Sequence, residues 1–236
     1  MSMEYLFFSA MSGEKICSVM VKLIEGLGVS AGIFFLTLLF ALPLGFVIAA
    51  GRMSKRRPVR WFFQLFISVM RGTPLMLQLF IWYFCPYYLF DIPLSDLSFC
   101  GIEYRYSAVI IGFSLNYAAY FSEIYRAGIE SIPRGQYEAA QVLGYSAPQT
   151  FFRIILPQVI KRIIPPVTNE VITLVKDTSL AFSLSVLEMF TVARQIASAE
   201  TTMLPFIIAG AFYYIFNFLV AGAMSFIEKR LAYYKG

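Results

Sequence analysis

From Gly26 to Ala50 the chain carries no charged residue. About 20 consecutive apolar residues are enough for a helix to cross a bilayer. Such a stretch folds either as a helix buried on every side or as a helix in lipid. Composition selects the second. Of 236 residues, 59% are hydrophobic and 14% are charged, whereas a soluble domain carries about a quarter charged. Further apolar runs follow, and together they predict an all-α integral membrane protein. We read residues 1–236 as one transmembrane domain with five spans, over about 26–50, 74–90, 106–127, 163–187 and 203–227. Pro43, inside the first span, predicts a kink.

Orientation follows from the basic residues. Gly51 to Arg60 holds Arg52, Lys55, Arg56, Arg57 and Arg60 with no acid, which marks the cytoplasmic side. Only Lys15, Lys22, Arg105 and Arg194 fall on the other side, and Lys176 falls within the fourth span. The N-terminus is therefore expected outside and the C-terminus in the cytoplasm. Met1 to Ala10 lacks a basic n-region, so no cleavable signal peptide is expected. Ile16, Val19, Met20 and Leu23 can form one apolar face opposite Lys15 and Lys22. A short interfacial helix and an early part of the first span are both open there. Trp61 to Met70 reads as a helix near the inner interface, anchored by Trp61 and Arg71. Thr73 is expected as an N-cap with Pro74 at the first helical position. Residues 91–105 and 188–202 read as outer loops, the second with room for a short helix. Glu123 and Arg126, three residues apart, are expected to pair.

Several chemistries are excluded. Histidine is absent, which removes the commonest general base and metal ligand. Cys17, Cys85 and Cys100 lack metal or redox spacing, although Cys85 and Cys100 both fall near the outer face and a disulfide between them is open. No phosphate-binding G-x-x-x-x-G-K-[ST] run occurs. The net charge of +5 is explained by the cytoplasmic loops, and no nucleic acid is expected.

Two polar stretches break the apolar pattern. The first, residues 131–158, reads as a helical pair. Pro133 and Gly135 break the preceding helix, Glu138 to Leu143 is helix-forming, and Gly144 ends it in a left-handed conformation. Ser146 and Gln149 have capping-box spacing, with Pro148 in the first turn. A second helix carries Phe151, Phe152, Ile154 and Ile155 as far as Leu156-Pro157. A polar helix pair between spans must contact something outside the lipid.

The second stretch places Glu170, Lys176 and Asp177 in the fourth span. Each charge costs about 2.5–3.5 kcal/mol at the centre of an inserted helix, so these groups must face protein or water. Glu170 and Asp177 are about 10 Å apart along one helix face, with Asn169, Thr173 and Thr178 near it. Two readings are open. The stripe lines a translocation path, with Glu170 and Asp177 holding an ammonium or cationic side chain. Alternatively, Lys176 and Asp177 pair with a facing subunit or sit at the outer mouth. Arg71 is a candidate for a substrate carboxylate, or an interfacial anchor.

Glu138-Ala139-Ala140, Gly144 and Ile154-Ile155-Leu156-Pro157 together resemble the EAA loop of ABC importer permeases. Met70-Arg71-Gly72-Thr73-Pro74-Leu75 with Gln78, Ser131-Ile132-Pro133-Arg134-Gly135-Gln136, and Lys176-Asp177-Thr178-Ser179-Leu180 resemble the signatures of the polar amino acid (His/Gln/Arg/opine) branch. The resemblance runs from about Gly26 to the C-terminus. It implies a type I importer permease in the bacterial cytoplasmic membrane, whose loop is a cytoplasmic coupling helix docked on an ATPase. Glu138 would orient that helix, Ala139 and Ala140 would allow close contact, and Gly144 would make the turn, with Ser146 and Phe151 in the coupling surface. It further implies two permease chains, identical or related, two ATPase subunits carrying ATP and Mg, and an extracytoplasmic amino acid-binding protein. No cofactor is expected on this chain itself. The substrate implied is a polar amino acid, arginine-like or glutamine-like. The rival is a self-contained secondary transporter using Glu170 and Asp177 as proton or sodium sites. Five spans leave no pair of inverted repeats for it, and it leaves the helical pair unexplained. A membrane enzyme would need a nucleophile–base pair or a metal cluster, and neither is present.

Overall fold

Backbone groups in lipid must be satisfied within the segment that carries them, and the chain answers with long helices. The computed structural model describes residues 13–231 except 95 and 100. Helix α1 (Gly13–Arg52) is 40 residues long and runs through Pro43 without a break. Residues 13–22 are thus the start of the first long helix and not a separate interfacial one. Helices α2 (Arg57–Gly72) and α3 (Leu75–Phe90) follow, bent by 113° relative to each other.

The joint between α2 and α3 departs from expectation. Thr73 does not cap α3. Its hydroxyl donates back to the Val69 carbonyl at 2.8 Å, and the Pro74 carbonyl receives the first amides of α3, from Leu77 and Gln78. The open backbone groups of the bend are collected by one side chain. Gln78 donates to the carbonyls of Met70 and Thr73 and to the Thr73 hydroxyl, and accepts from Asn116 at 3.0 Å. Gln78 and Asn116 are 4% and 5% exposed, so this amide pair is a satisfied buried network.

After α3, a two-stranded hairpin pairs Ser98 with Glu103 and Phe99 with Ile102, and Arg105 forms an ion pair with Glu103. Cys85 is a free thiol; the pairing considered with Cys100 falls on a residue outside those described. Helix α4 (Tyr104–Glu130) comes next, then α5 (Arg134–Val142). The start of α5 corrects one expectation: Pro133 is the N-cap residue, and Gly135 lies inside the new helix.

A second correction concerns the next segment. The short helix α6 (Ala147–Gln149) continues through a π-helical run, Thr150–Ile155, directly into α7 (Leu156–Asp177). Leu156-Pro157 therefore does not end a helix, and the fourth long segment does not begin afresh at Ile163 or Pro165. Pro157 follows the π-helical run inside this continuous segment, and Pro165 and Pro166 lie further along it. A 3₁₀ run, Thr178–Leu184, leads to α8 (Met189–Glu200) and α9 (Leu204–Leu231). The segment 188–202, expected as an outer loop, is thus mostly helix.

Among the described residues, α1 and α9 are each long and apolar enough to cross a membrane. The number rises to four if the α2–α3 pair and the Ala147–Leu184 segment with α8 each count as one bent span. Helix α4 carries its charges, Arg105, Glu123, Arg126 and Glu130, towards its two ends.

The residues group into two compact units. One comprises Met1–Leu36, Leu79–Ile110 and Leu174–Leu219. Its core holds Val19, Leu23, Met189, Ala193 and Ala209. The other comprises Thr37–Gln78, Ile111–Thr173 and Val220–Gly236. There Ile132, Ile155 and Val159 form a core with Tyr137, Phe151 and Ile163 packed against it. A Cβ on Gly128 would lie 2.3 Å from Ile163 Cγ2, so the bare backbone there lets α4 and α7 touch.

Candidate coupling surface and polar helix face

The helical pair ends as its residues dictate. Gly144 adopts φ +79°. The Tyr145 amide then reaches the Ala140 carbonyl and the Gly144 amide reaches that of Gln141, both at 3.0 Å, which is a Schellman closure. The Ser146 amide donates to Gln149 Oε1 at 2.9 Å, completing the expected capping box.

Ala139 and Ala140 have different environments. Ala140 is 1% exposed, and Glu138 and Ala139 are exposed. Phe151 packs inward on the Ile132–Ile155–Val159 core and supports the segment from behind. The outward apolar side chains are Val142, Leu143 and Phe152, at 87%, 72% and 65% exposure. Val142 and Leu143 were not among the expected surface residues, although two consecutive apolar residues before a helix-ending glycine are a visible signal. Ser146 is exposed. The base of the segment is tied down by Arg162, which donates to the carbonyl and hydroxyl of Ser131 at 2.5 and 3.0 Å. An apolar tip on a braced polar helix pair is suited to seating in a partner's groove.

Along α7 and its first residues beyond, exposure repeats at helical spacing. Arg162, Pro165, Asn169, Thr173 and Lys176 are exposed, and Glu170 and Asp177 are partly buried at the edge of that face. Val171, Leu174 and Val175 fill the opposite side, at 4%, 0% and 0% exposure. Thr178 belongs to the buried side: it is fully buried and its hydroxyl donates to the Val175 carbonyl at 2.8 Å. Thr173 is exposed and back-bonds to Asn169 at 2.9 Å. Arg71 sits elsewhere, on α2. Its guanidinium lies 5.2 Å from the Tyr120 ring centroid and 3.9 Å from Glu123. Glu123 is held more closely by Arg126 at 2.7 Å, the expected pair, and Arg126 also reaches Glu130.

One residue at the start of the expected 188–202 loop organises the first unit. Glu188 is fully buried and caps α8. It accepts from the amides of Phe190 and Thr191 at 2.7 Å each, from the Thr191 hydroxyl at 2.8 Å and from Tyr213 at 3.0 Å. Ser30 of α1 approaches at 3.4 Å. A lone acid between two apolar runs, just before helix-forming residues, is the signal that could have found it. No group of three or more metal-ligating side chains occurs among the described residues.

The comparisons with known proteins agree with this architecture. Residues 41–233 match the family of binding-protein-dependent transport system inner membrane components. The chain is 40% identical over 214 residues to the L-cystine transport system permease protein TcyB of Bacillus subtilis (strain 168), covering 87% of each chain. It is 36% identical over 210 residues to the arginine transport system permease protein ArtQ of the same organism, covering 89% of this chain and 92% of that one. Among solved structures, an amino acid ABC transporter crystallised with histidines superposes with a TM-score of 0.81 at 28% identity, over 94% of this chain and 99% of that one.

A long-helix fold with a capped polar helical pair, matched over most of its length, defines a class: the ABC importer permeases. The chain belongs to the family of binding-protein-dependent inner membrane transport components. It is a multi-pass membrane permease subunit and not an enzyme; in this family ATP hydrolysis is the work of a separate subunit, and a second permease and a binding protein complete the system.

Proposed function

We propose that this chain is the pore-forming permease of an ATP-driven importer of polar amino acids, with N-terminus outside, C-terminus inside and five spans. The carrying observation is the braced helix pair 131–158, whose exposed tip of Val142, Leu143 and Phe152 stands beside Glu138 and Ala139. That tip docks the ATPase. Closure of the ATPase dimer on ATP and Mg favours one of two pore conformations, and release favours the other. Ala140, Gly144, Ser146 and Phe151 shape and support the tip. An extracytoplasmic binding protein delivers the amino acid to a pair of permease chains.

Substrate passes along the exposed face of α7. Asn169 and Thr173 offer neutral hydrogen bonds, and Glu170 and Asp177 place negative charge at the edge of the face for an ammonium or a cationic side chain. Thr178 holds the start of the 3₁₀ run behind them. Arg71 can meet a carboxylate only by leaving Tyr120 and Glu123. Relatives named for cystine and arginine, and a solved relative crystallised with histidines, support a zwitterionic or cationic amino acid.

Purifying the tagged chain from its native membrane tests the reading. An ATPase subunit should co-purify, and its activity should rise when an amino acid-loaded binding protein is added. A chain that purifies alone and moves solute without ATP would overturn it in favour of ion coupling at Glu170 and Asp177.

A further inference from the structure

Helix α2 has three faces rather than two. Phe63, Phe66, Ile67 and Met70 turn towards the protein: Ile67 is 5% exposed, and the Phe63 ring covers Gly51 at the end of α1. A second face is apolar and uncovered, with Phe62, Leu65 and Val69 at 61%, 48% and 48% exposure. The third is polar, carrying Arg57, Arg60, Gln64 and Ser68, all exposed. Lys55 and Arg56, in the turn before the helix, are exposed beside Arg57. No Asp or Glu occurs between Glu25 and Asp91, and none among the described residues lies within ion-pair distance of Lys55, Arg56, Arg57 or Arg60.

The 113° bend to α3, held by Gln78 and Asn116, sets α2 nearly crosswise to a helix that enters the bilayer. In that attitude an uncovered apolar face next to a basic face meets acyl chains on one side and headgroups on the other. Four neighbouring cations without acids complement a surface of negative headgroups. Trp61, 65% exposed, lies at the boundary of the two faces, where its ring belongs.

We propose that the α1–α2 turn and α2 form a binding site for anionic phospholipid of the inner leaflet, with Lys55, Arg56, Arg57 and Arg60 holding the phosphate and Phe62, Leu65 and Val69 lying against the acyl chains. The site rests on the membrane-spanning, N-outside reading of the chain, but its test reads bound lipid and not transport, so the two can fail separately.

The intact complex, purified in mild detergent, is exchanged into nanodiscs of equal phosphatidylglycerol and phosphatidylcholine, and the lipid carried through a second detergent extraction is quantified by mass spectrometry. The wild type should retain phosphatidylglycerol over phosphatidylcholine by at least about tenfold, because each basic group near a charged leaflet adds to the attraction. Replacing Lys55, Arg56, Arg57 and Arg60 together by Gln should bring retention of the two lipids to parity. Arg56→Lys with Arg57→Lys and Arg60→Lys, which keeps the charge and guards against a folding defect, should preserve the preference. Equal retention of both lipids by the wild type would overturn the proposal. So would an unchanged preference in the Gln variant, or loss of the co-purifying ATPase in that variant with lipid preference intact, which would assign the cluster to protein docking.

Discussion

Glu170 and Glu188 are both acids in an apolar setting, yet they do different things. Glu188 is enclosed by donors from its own helix, from α9 and from α1, and its work is structural. Replacing it by Ala leaves the Phe190 and Thr191 amides and the Tyr213 hydroxyl buried without an acceptor, at about 1–3 kcal/mol each. Glu188→Ala should therefore lower the melting temperature in detergent sharply, with Glu188→Gln in between; an unchanged melting curve for Glu188→Ala would contradict this role. Glu170, by contrast, borders an exposed polar face. Glu170→Gln should leave assembly intact and reduce uptake efficiency for a cationic amino acid by about 10- to 100-fold, the worth of one charge-assisted contact. Unchanged uptake and unchanged substrate preference would remove Glu170 from the path. The difference between the two acids was only partly legible. Glu170, with Asp177 seven residues on, announces a helix face within one segment. The partners of Glu188, Ser30 and Tyr213, are 158 and 25 positions away, and no local pattern shows them.

At the scale of elements, what could be read was what is decided locally. The Gly144 closure and the Ser146–Gln149 box depend on neighbours within a few residues, and both formed as read. The role of Thr73 did not, because a helix N-cap competes with a bond back to Val69 and with the claim of Gln78 on the same hydroxyl. Prolines misled for a related reason. Pro157 looks like a terminator, but it follows directly on a π-helical run, a local irregularity in the ladder, and the helix continues. The segment proposed to couple to the ATPase carries two predictions of its own. Gly144→Val puts a branched residue at φ +79°, a strain of about 1–2 kcal/mol aimed at the tip. It should lower the amount of co-purified ATPase while the chain still reaches the membrane, and Gly144→Asn should be tolerated. Glu138→Lys, on the exposed side of α5, should also weaken ATPase co-purification without loss of the folded chain. Normal recovery of the ATPase by both Gly144→Val and Glu138→Lys would sink the docking assignment.

The chain combines long apolar helices with one polar helix pair, 131–158, and one polar face along α7. Its class was legible because lipid forces apolar residues into long runs and pushes basic residues to one side. The two-unit grouping was not, since it depends on which helices touch, and amphipathic spacing alone does not name a partner. The central claim is that this chain moves an amino acid only when an ATPase drives it. The most direct test reconstitutes the purified complex in sealed vesicles with its binding protein and radiolabelled arginine, cystine or glutamine, with ATP and Mg supplied on the ATPase side. The account predicts uptake that requires ATP, requires the binding protein and is abolished when the ATPase subunit is omitted. Uptake by the chain alone, driven by a proton or sodium gradient and indifferent to ATP, would contradict it.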